Sequence, residues 1–206
     1  MRLEVGEMRT HTTATERDYE AFKQMLTAAS AAVPPEYIQM PVYGQEELIY
    51  RERVFCYELY HQLRHRWGDF PYTLAGEVDK TGHPVVRTKK KPDFLVHQPG
   101  GMGANLVAME VKPNNARTPG IKKDLETLTW FVREADYAHG LLLVYGFDNA
   151  RFERMWQTIK ELGDNYDTID LGRLDIICWQ RRPINAADGG GTAAGLFEGV
   201  EEKLGD

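Results

Sequence analysis

Lys89-Lys90-Lys91-Pro92-Asp93-Phe94-Leu95-Val96-His97-Gln98-Pro99-Gly100, followed after four residues by Asn105-Leu106-Val107-Ala108-Met109-Glu110-Val111-Lys112-Pro113-Asn114-Asn115, decides how this chain is read. Both segments are short apolar runs bounded by Pro, Gly and Asn, as expected of two strands joined by a hairpin loop. Successive side chains of a strand point to opposite faces. Leu106, Ala108, Glu110 and Lys112 therefore share one face, and Val107, Met109 and Val111 share the other. A carboxylate and an ammonium emerge side by side at the end of a strand whose other residues suit burial on both sides. Such burial costs stability unless the charges are compensated or used. Asp93 opens the preceding strand, with sixteen residues between it and Glu110, which leaves room for an antiparallel hairpin to set the two carboxylates together. Converging carboxylates repel, and a divalent cation between them would remove the repulsion.

Outward from this hairpin the apolar period assigns the remaining elements. Thr15-Glu16-Arg17-Asp18 reads as a capping box, with Tyr19, Phe22, Met25 and Leu26 at helical spacing, so a first helix covers residues 15–32 and ends before Pro34-Pro35. A second helix is expected over 45–67, with Leu48, Glu52, Phe55, Leu59 and Leu63 in one mostly apolar stripe. Strands are expected at 72–78, 92–97, 105–112, 140–146 and 174–180. Thr118 reads as an N-cap before Pro119, and Ile121, Leu125, Leu128, Val132 and Ala135 recur as on a helix; another helix is expected over 149–162. The order ααβββαβαβ predicts an α/β fold, a mixed central sheet flanked by helices on both faces.

The chain of 206 residues, 42% of them apolar, can build a buried core. It has no uninterrupted apolar run long enough to span a membrane, and the start Met1-Arg2-Leu3-Glu4-Val5 lacks the features of a signal peptide. A cytoplasmic protein with no membrane partner is expected. Cys56 and Cys178 lie within apolar patterns without further Cys or His at ligand spacing, and read as buried thiols. The net charge of -6 argues against indiscriminate binding to polyanions. Its distribution is uneven: residues 1–50, 51–123 and 124–206 carry net charges of -4, +6 and -8. A basic middle between acidic ends fits a local polyanion site. No Walker or dinucleotide loop follows a strand, which disfavours a nucleotide-binding enzyme.

Phosphodiester cleavage needs hard oxygens to hold Mg2+ or Mn2+, an ion to polarise the phosphate, and a cation to stabilise developing negative charge. Asp93, Glu110 and Lys112 supply such groups. Pro92-Asp93, sixteen intervening residues, then Glu110-Val111-Lys112 resembles the signature of the PD-(D/E)XK nuclease superfamily, which includes type II restriction enzymes and Holliday-junction resolvases. The resemblance implies a restriction-endonuclease-like core, αβββαβαβ, over roughly residues 45–180, preceded by an extra N-terminal helix. It further implies that Asp93 and Glu110 bind the metal, that the Val111 carbonyl joins them, and that Lys112 orients or activates the attacking water. Many members add a glutamate from the helix before the first strand. Glu58, flanking the apolar stripe, is the candidate here, with Glu77 a weaker alternative.

Arg87-Thr88-Lys89-Lys90-Lys91 leads into Pro92-Asp93, where Lys89, Lys90 and Lys91 would contact phosphates flanking a scissile bond. Lys122 and Lys123 fall in the first turn of a helix, where the macrodipole disfavours cations and an approaching phosphate would relieve them. The expected function is a Mg2+-dependent nuclease acting on DNA in preference to RNA, in restriction, phage defence or repair. The alternative is an inactive module of the same fold that binds nucleic acid or a partner protein. The organisation read is a helical extension over 1–44, the nuclease-like domain over 45–183 and a flexible C-terminal tail over 184–206, which could tether a partner protein. Double-strand cutting needs two sites, which a homodimer would supply.

Overall fold

The computed structural model of the chain describes residues 14–77, 90–100, 103–180 and 199–202, the last four through their backbone. Helix α1 (Glu16–Ala32) starts at the expected capping box. Thr15 Oγ1 accepts from the Asp18 N–H at 3.2 Å, and Asp18 Oδ2 accepts from the Thr15 N–H at 3.2 Å, which satisfies donors that a helix start leaves open. Its buried stripe of Tyr19, Phe22, Leu26 and Ala29 packs against α3 and the sheet. The helix read as an extension therefore belongs to the same core as the rest of the chain.

After the short α2 (Pro35–Ile38), helix α3 (Glu52–Arg66) begins later than the 45–67 pattern predicts. Met40 and Ile49 pair antiparallel, exchanging N–H···O bonds of 2.9 and 3.0 Å, so backbone groups that a longer helix would use are already taken. Leu48, expected in the apolar stripe, is exposed as a result, whereas Phe55, Leu59 and Leu63 are fully buried.

Strands β1 (Thr73–Gly76), β2 (Phe94–His97), β3 (Asn105–Pro113), β4 (His139–Gly146), β5 (Leu174–Gln180) and β6 (Gly199–Glu202) form one sheet in that spatial order. The β1–β2 and β2–β3 pairs are antiparallel, β3–β4 and β4–β5 are parallel, and β6 lies antiparallel to β5. Helices α4 (Thr118–Glu134) and α5 (Asn149–Asn165) provide the crossovers that parallel strands require. Alternation along β3 divides the core. Val107, Met109 and Val111 face α1 and α3, while Ala108 faces α4 and α5 together with Leu142 and Val144 of β4. The fold is thus α/β, a mixed sheet flanked by helices, as expected.

Two boundaries differ from the sequence reading. Arg117 is the N-cap of α4, with Thr118 its first helical residue. Within the segment expected to be a flexible tail, Gly199–Glu202 pairs with β5, aligning Ile176 with Glu202 and Trp179 with Gly199. The edge of β5 presents a row of backbone donors and acceptors that an added strand can satisfy. Leu196 and Phe197 lie outside the described residues, as does Lys89. Cys56 is buried, whereas Cys178 is partly exposed. No helix among the described residues is long and apolar enough to cross a membrane.

Candidate active site

The β2–β3 register sets the site. Phe94 faces Met109, so the next position outward puts Asp93 opposite Glu110 just where β2 begins. Just beyond the β2–β3 ladder, Asp93 bonds across to β3 with its side chain: Oδ2 accepts from the Val111 N–H at 2.8 Å. One residue of a strand directs its N–H and C=O to the same edge, so the Val111 carbonyl lies on the Asp93 side as well.

Asp93 and Glu110 are hydrogen-bonded to each other through their side chains. Burial raises the Asp93 carboxyl above its ordinary value. Glu110, 4% exposed, is pushed up to about 10, first by burial and then by the Asp124 and Asp93 carboxylates. At neutral pH Glu110 therefore holds a proton and donates it to Asp93.

Lys112 leaves β3 on the same face and is clamped. Its Nζ lies 2.8 Å from Glu52 Oε2 and 2.9 Å from Asp124 Oδ2. Burial alone would lower the ammonium, but Asp124 and Glu52 outweigh it and hold Lys112 above the usual lysine range. Asp124 is buried within the stripe that Ile121, Leu125 and Leu128 form on α4. Its carboxyl rises to about 6, because burial prevails over the opposing pull of Lys112. Four acidic side chains, Glu52, Asp93, Glu110 and Asp124, thus surround one ammonium. The excess negative charge in a desolvated place is relieved by a retained proton.

The structure brings Asp93, Glu110, Val111 and Lys112 together and leaves other expected residues apart. Glu58 accepts from Gln62 Nε2 at 2.7 Å along its own helix, and the α3 acid that reaches Lys112 is Glu52. Six residues on a helix turn the side chain well away from its starting direction, so Glu52 and Glu58 serve different faces. Glu77 follows β1 with φ 44; its N–H donates to the Asp93 carbonyl at 3.1 Å, but its carboxylate pairs with Arg53 at 3.3 Å. Lys90 borders a hollow with Trp130 and Arg133, and Lys91 is exposed. Lys122 lies over the Tyr166 ring at 3.6 Å and near Glu126 at 3.7 Å, whereas Lys123 is exposed.

Sequence reading missed Glu52 and Asp124 as site residues. Both carried a signal, since each is a carboxylate at an apolar-stripe position of an amphipathic helix, where an unpaired charge is expensive. Among the described residues no group of three or more His, Cys, Asp or Glu side chains is arranged as a ready metal-ion cluster. The side-by-side pair, Asp93 and Glu110, offers hard carboxylate oxygens, the donor chemistry that suits Mg2+ or Mn2+. Comparison with known proteins returns no match: no family model, no curated protein and no solved structure is recognisably similar to this chain.

Proposed function

We propose that the chain is a metal-dependent nuclease of the PD-(D/E)XK type, with a restriction-endonuclease-like core, that hydrolyses phosphodiester bonds in DNA. The observation that carries this reading is the buried Asp93–Glu110 carboxyl pair, which keeps a proton between groups that repel once both are ionised. Asp93 and Glu110 would hold Mg2+ or Mn2+, Glu110 giving up its proton as it does so, with the Val111 carbonyl on the same side. A divalent cation bound there polarises the phosphate and activates water. Lys112 places a permanent positive charge next to the carboxyl pair, where it stabilises the negative charge that builds on the phosphate oxygens. Glu52 and Asp124 position that ammonium and keep it protonated.

A second reading has its own support. Lys112 has both of its short contacts to protein carboxylates, as in a salt-bridged structural centre. On that reading the fold binds nucleic acid or a partner protein without turnover. Plasmid, linear and single-stranded DNA incubated with Mg2+ or Mn2+, beside an Asp93→Ala sample, separate the two. Metal-dependent cleavage lost in Asp93→Ala supports the nuclease, and equal cleavage in both samples refutes it. Binding without cleavage favours the module.

A further inference from the structure

The carboxyl ends of the parallel strands β3 and β4 open, between α4 and α5, into a crevice of about 240 Å3 lined by Asn114, Ile121, Arg151, Arg154, Met155 and Thr158. Crevices at the carboxyl ends of parallel strands are the usual ligand sites of α/β sheets. This one lies beside the candidate active site. Asn114 follows Lys112 by two residues, roughly 7 Å along a strand, and Ile121 precedes Asp124 by one helical turn.

Its charge is positive. Arg151 has Asp148 at 3.5 Å as its ion-pair partner, and the Arg154 guanidinium has no partner among the described residues. Arg151 sits in the first turn of α5, whose N-cap Asp148 accepts from the Arg151 N–H at 3.3 Å and offsets the macrodipole, so the uncompensated charge of the crevice is that of Arg154. Asn114, 4% exposed, donates from Nδ2 to the Asp148 carbonyl at 3.1 Å, which ties the end of β3 to the start of α5 and fixes the wall of the crevice. The Asn114 amide lies so close over Gly146 that a Cβ there would collide with it, so glycine is required for this wall to form. A guanidinium fork is the side chain best matched to phosphate oxygens.

We propose that the Arg151–Arg154 crevice binds a backbone phosphate of a nucleic acid, next to the diester held at Asp93–Lys112. Its location relative to a scissile bond rests on the nuclease reading; its charge and shape do not. Neither arginine was singled out in the sequence, where the basic surplus lies in residues 51–123.

The test measures binding of a labelled duplex in Ca2+ across a salt gradient for wild type, for Arg151→Gln/Arg154→Gln, and for Arg64→Gln/Arg173→Gln. The last pair removes the same charge from the C-terminal end of α3 and the turn before β5, at the other end of the sheet. The crevice variant is expected to flatten the slope of log affinity against log salt by about one unit, with the control variant unchanged. Equal slopes for wild type and the crevice variant overturn the proposal, as does equal flattening in the control. Arg154→Gln alone, at an exposed side chain, carries the test if the double variant folds poorly. Cleavage of the same duplex in Mg2+ is scored separately. A flattened slope without cleavage leaves the crevice standing and the nuclease reading refuted; cleavage with an unchanged slope does the reverse.

Discussion

Replacing Glu110 by Gln removes an ionisable group yet keeps a side chain that can donate a hydrogen bond to Asp93. In the folded chain the Glu110 carboxyl is raised to about 10, by burial first and then by the Asp124 and Asp93 carboxylates, whereas an unfolded glutamate titrates near about 4.3. Between those values the folded state holds a proton that the unfolded state has released. Stability therefore falls as pH rises, by up to about 1.4 kcal/mol per pH unit. From about pH 6 to about pH 8 the wild type loses up to about 3 kcal/mol through this group, or about 6–12 °C in Tm for a chain of this length. Glu110→Gln escapes that loss, so its Tm should exceed that of the wild type at the alkaline end and approach it at the acidic end. Asp124, raised to about 6, adds a smaller fall at lower pH in both proteins. Thermal unfolding followed by circular dichroism in chelator, over a pH series, makes the measurement. Mg2+ added at the alkaline end should raise the wild-type Tm and leave Glu110→Gln nearly unmoved, since a ligand stabilises only a state that binds it. Parallel Tm–pH curves for the two proteins would refute the reasoning, because they would mean that Glu110 is ionised in the folded chain.

Lys112→Ala strands Asp124 and Glu52 without their shared ammonium, and should lower stability by about 3–5 kcal/mol, read as a lower urea midpoint at unchanged slope; a wild-type midpoint would show that the clamp contributes nothing. Glu52→Gln should weaken metal-dependent cleavage by loosening Lys112, while Glu58→Gln, whose carboxylate meets Gln62, should leave the metal titration of the rate unchanged. The opposite ranking would restore Glu58 as the acid contributed by α3.

What could be read without coordinates was whatever short-range periodicity controls. Alternation along 105–112 put Glu110 and Lys112 on one face, and the capping box at Thr15 marked the start of α1, because both patterns are set within a few residues. The hairpin spacing allowed Asp93 to reach Glu110, and the register of Phe94 with Met109 then places it there.

Only the tertiary structure could decide which helix carboxylates meet Lys112. Glu58 was the acid expected from α3, but the Met40–Ile49 pairing sets where that helix begins, and its start delivers Glu52 to the end of β3. Asp124 joins from a helix that follows β3 in sequence but packs back onto its face. The same holds for α1 entering the core and for Gly199–Glu202 completing the β5 edge. Each of these depends on contacts between segments far apart in the chain, whose direction is set by packing and register and leaves no local period to read.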